Sequence, residues 1–327
     1  MTTWSKETFG SSLFHPMDLH DLHSRFLEHA TYFWGRSKAT VSAYKMLIEF
    51  FLNITRLSDT GQVTEDRVRE FFFVGRTQRG WSARTYRAYW SHLRQFFRWC
   101  VKGGHLLADP TQGIEVPKLE RKLPAKLSRQ DANRILEYVD NYPYPRASHF
   151  IRCRNHALMA TLLFTGLRKS EALGLRCGDV DLENRSMFVR QGKGAKDRVV
   201  PICATLAGSL ARYVEARRQR GKTCPEFFTS MCRDCRFTVE GLTQLIKKIR
   251  VGTGIKFSAH KLRHTFATLM LEGGCDIYSI SKMMGHSDIK TTTIYLAASA
   301  EHLRSQIARH PLNSIGCRTY SPSVGEL

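Results

Sequence analysis

The sequence lacks any apolar run that reaches the length of about 20 residues needed to cross a membrane. Residues 1–10 also lack the apolar stretch of a secretory signal peptide. There is no internal repeat and no low-complexity segment, and the 42% of hydrophobic residues argue against global disorder. We therefore expect a soluble cytoplasmic protein with no membrane partner.

Acidic residues are few: 29 Asp and Glu stand against 50 Lys and Arg, for a formal net charge of +21 at pH 7. No cluster of carboxylates suited to Mg²⁺ stands out, which argues against a two-metal nuclease. The basic excess is spread along the whole chain and fits a nucleic-acid partner. A ribosomal-type or merely basic protein would show the same charge.

A full set of metal ligands is also missing. Cys232 and Cys235 form a C-x-x-C pair with Cys224 nearby, but a structural zinc site takes about four ligands and no second pair follows at a suitable spacing. The nine cysteines of a chain without an export signal are expected to be reduced thiols. We therefore predict no metal and no cofactor, and ordinary cysteines in a loop.

Three prolines and several basic residues mark a boundary between residues 110 and 127. Prolines break helices and favour extended chain, so this stretch is predicted to link two domains. Lys118 and Lys122 on the linker suit a strap across a phosphate backbone, although a solvated linker would have the same composition. The predicted segments are an N-terminal helical domain over 1–109, the basic linker over 110–127, a second domain with a C-terminal docking helix over 128–312, and a loose tail over 313–327.

The periodicity of apolar residues predicts a mainly α fold with a small antiparallel β element. Two short strands, Ser186–Arg190 and Arg198–Ile202, flank a glycine-rich turn in the second domain. The helices are predicted at about His20–Phe33, Thr40–Ile54, Thr64–Val74, Ser82–Val101, Ser128–Val139, His156–Phe164, Arg168–Leu175, Ala204–Arg220, Val239–Val251, Ala259–Glu272, Ile277–Met284 and Ile289–Ala297.

The fourth predicted helix carries an arginine stripe. Its apolar side chains share an arc of about 120°, and its arginines share a separate arc of about 80°. One face can therefore pack in a core while the guanidiniums point together at phosphates or into a groove. A solvated charged face is the alternative, and the absence of acids on this helix favours DNA. The stripe consists of Arg84, Arg87, Arg94 and Arg98.

Polar side chains of a few types interrupt the apolar helices of the second domain. An arginine follows a glycine turn, a His-x-x-Arg-His run opens one helix, a histidine beside a glycine ends another, and a tyrosine follows nine residues later. A lysine lies between glycines at the predicted hairpin tip. Each residue alone is a weak signal, since single histidines and tyrosines usually serve packing. In chain order they are Arg168, Lys193, His260, Arg263, His286 and Tyr295.

These residue types suit phosphoryl transfer, which needs donors around the phosphate oxygens, a nucleophile and a proton source for the leaving oxygen. Arginine offers a forked and permanently charged donor set that fits phosphate. A tyrosine phenol with a pKa of about 10 can lose its proton to a histidine, and a lysine can protonate a departing alkoxide.

The order Arg, Lys, His-x-x-Arg, His, Tyr resembles the active-site set of the tyrosine recombinases, the family of phage integrases and Xer proteins. The N-terminal helices, with their arginine-rich fourth member, resemble the family's core-binding domain, so the resemblance covers about residues 15–310. The matching segments are Thr165-Gly-Leu-Arg-Lys-Ser-Glu-Ala-Leu173, Gly192-Lys-Gly-Ala-Lys196 before Arg198-Val-Val-Pro201, His260-Lys-Leu-Arg-His-Thr-Phe-Ala-Thr268, Met284-Gly-His-Ser287 and Thr292-Thr-Ile-Tyr295.

The resemblance implies a role for each matched position. Tyr295 is implied to attack the scissile phosphate, to form a 3′-phosphotyrosyl link and to release a 5′-hydroxyl, while His260 takes the phenol proton. Lys193 is implied to protonate the leaving 5′ oxygen, and Lys196 is the less favoured alternative. The side chains implied to hold the phosphate oxygens are Arg168, Arg263 and His286.

The resemblance also implies the setting of the reaction. Energy is kept in the covalent link, so neither ATP nor a metal is needed. Four protomers are implied to act on two duplexes through a Holliday junction at a specific recombination site, and the need for a partner recombinase or accessory protein is left open. A helix at about Ala298–Arg309 is expected to dock into a neighbouring protomer or else to pack in its own. A type IB topoisomerase and a catalytically inert DNA-binding protein are the alternatives.

Overall fold

The computed structural model describes residues 16–119, 126–142, 149–190, 197–286 and 290–293. Over these residues the chain is mainly helical with one small antiparallel sheet, which confirms the predicted fold class. The chain divides into two compact units, 1–121 and 122–327, and the division falls within the stretch predicted to be a linker. No described helix is long and apolar enough to span a membrane.

Four α-helices build the described part of the N-terminal unit, residues 16–119, and each predicted helix there is confirmed to within three residues at either end. Side-chain caps explain where the helices start, because each capping oxygen accepts a hydrogen bond from a backbone N–H of the first turn. The caps are Asp18, Ser37, Thr64 and Ser82. The helices are α1 (Leu19–Tyr32), α2 (Lys38–Thr55), α3 (Glu65–Thr77) and α4 (Ala83–Lys102).

The core of the N-terminal unit is rich in aromatic rings. Helix α4 contacts the other three helices, and its Phe96 and Phe97 are fully buried. Phe96 meets Phe26 edge to face at a ring-centroid distance of 5.4 Å, and Phe97 meets Phe51 in the same way at 5.7 Å. Burial of this face confirms the predicted apolar face of α4 and turns the arginine stripe away from the core.

Helices also form most of the second unit. They are α5 (Arg129–Asn141), α6 (His149–Thr165), α7 (Lys169–Gly174), α8 (Ala204–Gln219), α9 (Val239–Thr253), α10 (Ala259–Glu272), α11 (Ile277–Met284) and α12 (Lys290–Thr293). Helix α6 is central, and every residue from 157 to 163 is buried. It begins seven residues before its predicted start at His156. The early start was missed because polar residues in the first turns interrupt the apolar periodicity. One of them, Arg154, is buried and donates to Thr229 O at 3.1 Å.

A three-stranded antiparallel sheet lies in the second unit, in the order β1 (Val180–Asp181), β2 (Ser186–Val189) and β3 (Arg198–Pro201). The two predicted strands are β2 and β3. Strand β1 escaped prediction because two residues are too few to show an alternation. Val189 pairs with Arg198, so this arginine stands at the base of the predicted hairpin, whose tip lies outside the described residues.

Candidate active site

The turn between α6 and α7 places Arg168. Gly166 has a left-handed φ of +62°, and a Cβ at this position would collide with the ring of Phe266, so the turn requires glycine. The backbone N–H of Arg168 donates to Glu171 Oε2 at 2.8 Å, and its Nη1 donates to Glu171 Oε1 at 2.7 Å. The carboxylate therefore fixes both the backbone and the head of this arginine.

Arg263 lies on α10, and its side chain is only 4% exposed. Its Nη1 donates to Gly166 O at 2.6 Å, and its Nη2 donates to Met284 O at 2.7 Å. The same Nη1 lies 3.9 Å from Glu171 Oε2. Two carbonyls from distant segments thus hold the guanidinium in one orientation.

Glu171 connects these groups to a third arginine, Arg198. The Glu171 side chain is 6% exposed, and Arg198 donates to it from Nη1 at 3.2 Å and from Nη2 at 2.8 Å. Burial alone would raise the pKa of the Glu171 carboxyl, but hydrogen bonds from Arg198 and Arg168 outweigh burial and lower the pKa below its ordinary value. We call Arg168, Arg198 and Arg263 the arginine cluster. The three guanidiniums carry more positive charge than the carboxylate of Glu171 neutralises, so the cluster suits an anion.

Glu171 and Arg198 were not assigned to the site by the sequence pattern. The capping-box spacing between Arg168 and Glu171 is the signal that could have indicated a carboxylate here. Arg198 belongs to the matched segment Arg198-Val-Val-Pro201, but that segment does not show its contacts, because its partners lie 27 and 85 residues away along the chain.

The C-terminal end of α11 brings the chain back to the cluster. Gly285 has a left-handed φ of +65°. Its N–H donates to Lys282 O at 3.0 Å, and the N–H of His286 donates to Ser281 O at 3.1 Å, which is the pattern of a Schellman motif. This motif fixes the backbone of His286 as the chain leaves the helix.

The last carbonyls of α11 and its cap are acceptors for the arginine cluster. The final carbonyls of a helix have no partner within the helix, and they carry its negative dipole end. Here each of three successive carbonyls meets a different guanidinium, which ties the segment before His286 to the cluster. The pairs are Arg198 Nε to Met283 O at 2.7 Å, Arg263 Nη2 to Met284 O at 2.7 Å, and Arg168 Nη2 to Gly285 O at 3.1 Å.

His286 is held by its ring as well as by its backbone. Its Nδ1 lies 2.7 Å from Oγ1 of Thr292 on α12, and Thr292 is fully buried. Burial, followed by the charges of Arg263 and Arg168, lowers the pKa of His286 to about 4. The ring is therefore neutral at pH 7 and carries a single N–H donor.

His260 and His264 form a ring pair on α10, with centroids 4.2 Å apart and planes at 72°. Partial burial and the charges of Arg263 and Arg168 lower the pKa of His260. Burial and the neighbouring His260 lower the pKa of His264 to about 4. His260 is the more exposed of the two, and a neutral, accessible imidazole can accept a proton from a hydroxyl.

A cleft of about 880 Å³ opens beside these side chains. Arg168, His260 and Arg263 line it together with apolar residues of α9 such as Leu242 and Ile246. None of the residues that line it is acidic, so the cleft suits the phosphates of a nucleic acid. The further basic residues of its wall are Lys169, Lys247, Arg250 and Lys256.

Four of the six predicted site residues are thus described. Arg168 donates to Gly285 O and Arg263 donates to Met284 O, the two carbonyls that precede His286. His260 lines the same cleft as the two arginines. The predicted proton donor and nucleophile lie outside the described residues: they are Lys193 and Tyr295.

The arginine stripe of α4 is more exposed to solvent than the arginine cluster. Arg84 and Arg98 are exposed, and Lys118 of the linker is exposed as well. Lys122 lies outside the described residues. These exposed charges are free to reach toward phosphates.

The other two arginines of the stripe have partners within the N-terminal unit. Arg87 Nη1 donates to Pro117 O at 3.1 Å. Arg94 packs over the Trp90 ring at 4.7 Å, and its Nε is 3.8 Å from Asp109 Oδ2. Asp109 lies after α4 in the chain. The absence of acidic residues within α4 therefore did not reveal this partner of Arg94.

The cysteine-containing loop before α9 is held by Asp234, which accepts from the N–H groups of Thr223 and Cys224 at 3.1 Å. Cys232 and Cys235 are exposed. Over the part of the chain that the structure describes, no three His, Cys, Asp or Glu side chains are grouped as a metal site.

Comparison with known families agrees with this geometry. The model of the phage integrase family matches residues 125–302, and the N-terminal SAM-like domain of phage integrases matches residues 24–104. The chain belongs to the phage integrase family. One matched segment lies in each compact unit. The segment 125–302 includes every described residue of the candidate site.

Relatives of this phage integrase family member are tyrosine recombinases. The chain is 34% identical over 233 residues to tyrosine recombinase XerA of Thermococcus kodakarensis, which is 71% of this chain and 77% of the relative. It is 32% identical over 286 residues to tyrosine recombinase XerD of Listeria monocytogenes serotype 4b, covering 85% of this chain and 94% of the relative.

Solved structures share the fold. A post-cleavage complex of the XerH site-specific recombinase with a palindromic difH substrate has a TM-score of 0.70 at 23% identity, and it covers 88% of this chain and 84% of XerH. A lambda integrase (75–356) dimer bound to a COC′ core site has a TM-score of 0.68 at 15% identity, and the match covers 85% of this chain and 95% of that lambda integrase fragment.

Tyrosine recombinases cleave and rejoin DNA. The protein is therefore a site-specific DNA recombinase and its substrate is DNA, which confirms the predicted enzyme class. Neither a type IB topoisomerase nor a catalytically inert DNA-binding protein is favoured.

Proposed function

We propose that Tyr295 cleaves one DNA strand while Arg168, Arg263 and His286 hold the scissile phosphate. The observation that carries this proposal is the arginine cluster, whose three guanidiniums are fixed on Glu171 and on successive carbonyls beside His286. Donors fixed in advance need no reorganisation when negative charge builds up on the phosphate oxygens.

The proposed reaction needs no external energy. The phenolic oxygen of Tyr295 forms a bond to phosphorus as the bond from phosphorus to the 5′ oxygen breaks. His260 takes the phenol proton, and Lys193 gives a proton to the 5′ oxygen. Rejoining reverses these steps with a new 5′-hydroxyl. Cleavage is expected to persist in excess EDTA and without a nucleotide.

The nucleophile is tested by Tyr295→Phe on a nicked suicide substrate, with Tyr278→Phe as the control. Tyr278 is 60% exposed on α11, so its hydroxyl can be removed without opening the core. We expect wild-type and Tyr278→Phe proteins to form covalent adducts, and Tyr295→Phe to bind DNA without forming one. A covalent adduct of Tyr295→Phe would refute the assignment.

The leaving-group acid is tested with a 5′-bridging phosphorothiolate, because sulfur departs without a proton. This substrate should restore cleavage by Lys193→Ala. Lys196→Ala should be milder and gain little from the same substrate. The reverse pattern would exchange the roles of the two lysines.

The DNA itself is proposed to be a double-stranded recombination site of specific sequence. Its phosphates are proposed to contact the basic cleft of the second unit, the arginine stripe of α4, and the linker lysines Lys118 and Lys122. We further propose that four protomers act on two duplexes through a Holliday junction, at the nucleoid in the cytoplasm, with or without a partner recombinase or accessory protein. Sedimentation of a trapped Holliday junction complex should show four protomers, and a complex of two would contradict this assembly.

A further inference from the structure

The contact between His286 and Thr292 adds to the site a residue that has no role in the proposed reaction so far. Thr292 has no exposed surface, and its Oγ1 lies 2.7 Å from Nδ1 of His286. The backbone N–H of His286 is also engaged, because it donates to Ser281 O at 3.1 Å. The ring is therefore anchored through Nδ1, and Nε2 is the nitrogen that remains for a substrate.

A neutral imidazole has one N–H and one lone pair, so the position of its hydrogen decides what Nε2 can do. The charged or titratable groups that act on His286 are Arg263, Arg168, Arg198 and His264, and together with burial they keep the ring neutral. If Nδ1 carries the hydrogen, Nε2 presents a lone pair, which a phosphate oxygen repels. If Nε2 carries it, the ring can donate to that oxygen.

We propose that the Thr292 hydroxyl donates a hydrogen bond to Nδ1 of His286 and thereby holds the ring in the tautomer that carries its hydrogen on Nε2. Thr292 is thus a positioning residue that makes His286 a hydrogen-bond donor. The identity of the acceptor, the scissile phosphate, rests on the proposed function, whereas the tautomer is a property of the free protein. Threonine suits this role because a buried hydroxyl can donate to a ring nitrogen without adding charge.

The tautomer can be measured directly on the full-length protein without DNA. Long-range ¹H–¹⁵N spectra of protein labelled at histidine distinguish a protonated from an unprotonated ring nitrogen, and the His286 signals are assigned by their loss in His286→Gln. At pH 7 we expect an unprotonated Nδ1 and a protonated Nε2. A wild-type spectrum with hydrogen on Nδ1, or with both nitrogens protonated, would overturn the proposal whatever the variants do.

The variants separate the hydroxyl from the shape of the side chain. Thr292→Val removes the hydroxyl and is expected to give a mixture of tautomers, whereas Thr292→Ser should keep the wild-type pattern. The exposed neighbour Thr293 on the same helix supplies the control, and Thr293→Val should leave the His286 signals unchanged.

Cleavage supplies the second readout. Loss of one hydrogen bond should reduce the rate of adduct formation by Thr292→Val about tenfold, with little change in the Kd for DNA, and Thr292→Ser should restore the rate. Unchanged tautomer and unchanged rate in Thr292→Val would contradict the proposal. If Tyr295 proved not to be the nucleophile, the spectra would still report the tautomer, so the two failures are distinguishable.

Discussion

The arginine cluster of the second unit differs from the arginine stripe of α4 in how its guanidiniums are held. In the cluster every head group meets a buried carboxylate or a backbone carbonyl. In the stripe Arg84 and Arg98 are exposed, and Arg94 has only a distant acid and an aromatic ring. Fixed donors suit a transition state of defined geometry, while exposed arginines suit contact with the repeating phosphates of a duplex.

Tryptophan makes this comparison measurable. All five tryptophans lie within the first 99 residues, so the second unit has none. Tryptophan fluorescence therefore follows unfolding of the N-terminal unit, and far-UV circular dichroism follows both units. A substitution in the cluster should shift the unfolding transition seen by circular dichroism and leave the transition seen by tryptophan fluorescence unchanged.

The largest effect is expected from Arg263→Lys. Lysine keeps the charge but cannot reach Gly166 O and Met284 O together with a planar fork. Loss of one such fixed donor should lower the rate of strand cleavage by roughly 10²–10³-fold, with a much smaller change in the Kd for DNA. Single-turnover cleavage of a suicide substrate measures this. A rate within threefold of wild type would mean that fixed geometry is unimportant.

Glu171→Gln should chiefly reduce stability. It leaves the guanidiniums of Arg168 and Arg198 without their buried counter-charge, which costs about 3 kcal/mol. Denaturant titration should show earlier unfolding by circular dichroism and an unchanged tryptophan transition. An equal shift of both transitions would show that the cluster does not act within the second unit alone.

Glu171 also predicts a dependence of stability on pH. Because its folded pKa lies below the ordinary value of 4.5, its contribution is complete above pH 4.5 and is lost as the pH falls through the lower folded pKa. The free energy of unfolding of Glu171→Gln should therefore decline less steeply than that of wild type on acidification below pH 4.5. Parallel curves would contradict this reasoning.

Arg198→Lys should have an intermediate effect, and Arg190→Lys is its matched control. Both arginines flank the predicted hairpin and pair with a buried carboxylate, but Arg190 pairs with Asp179 at 2.7 Å and has 55% of its side chain exposed. Loss of one of the contacts of Arg198 should slow cleavage about tenfold. Arg190→Lys should cleave at nearly the wild-type rate. Equal losses would indicate general damage to the sheet.

The smallest effects are expected in the stripe. Arg84→Ala and Arg98→Ala should weaken binding to cognate and random duplexes alike. Each should lower the slope of the logarithm of the binding constant against the logarithm of salt concentration by about one. Arg94→Ala should change the slope less, because Asp109 and Trp90 already engage that side chain. Titrations across a salt series would show this. A loss confined to the cognate site, of about 1–3 kcal/mol, would instead indicate contact with a base edge.

The sequence predicts what depends on periodicity and on short spacing. The apolar face of α4 and the glycine turn before Arg168 follow from local patterns. The contacts that orient the site do not, since Arg263 reaches Gly166 across 97 residues and Arg168 reaches Gly285 across 117. Backbone carbonyls carry no sequence signature, so the acceptors of the cluster become visible only in three dimensions.

Helix α11 has eight residues, and each of the five carbonyls from Ser281 to Gly285 has a partner. A single inserted or deleted residue would rotate the end of the helix by about 100° and carry the oxygens of Met283, Met284 and Gly285 away from their arginine donors. A substitution on the exposed side, at Tyr278 for example, leaves them in place. Evolution of this segment is therefore expected to proceed by exchange of residues at constant length, and gaps in an alignment of active homologues should fall outside Ile277–His286.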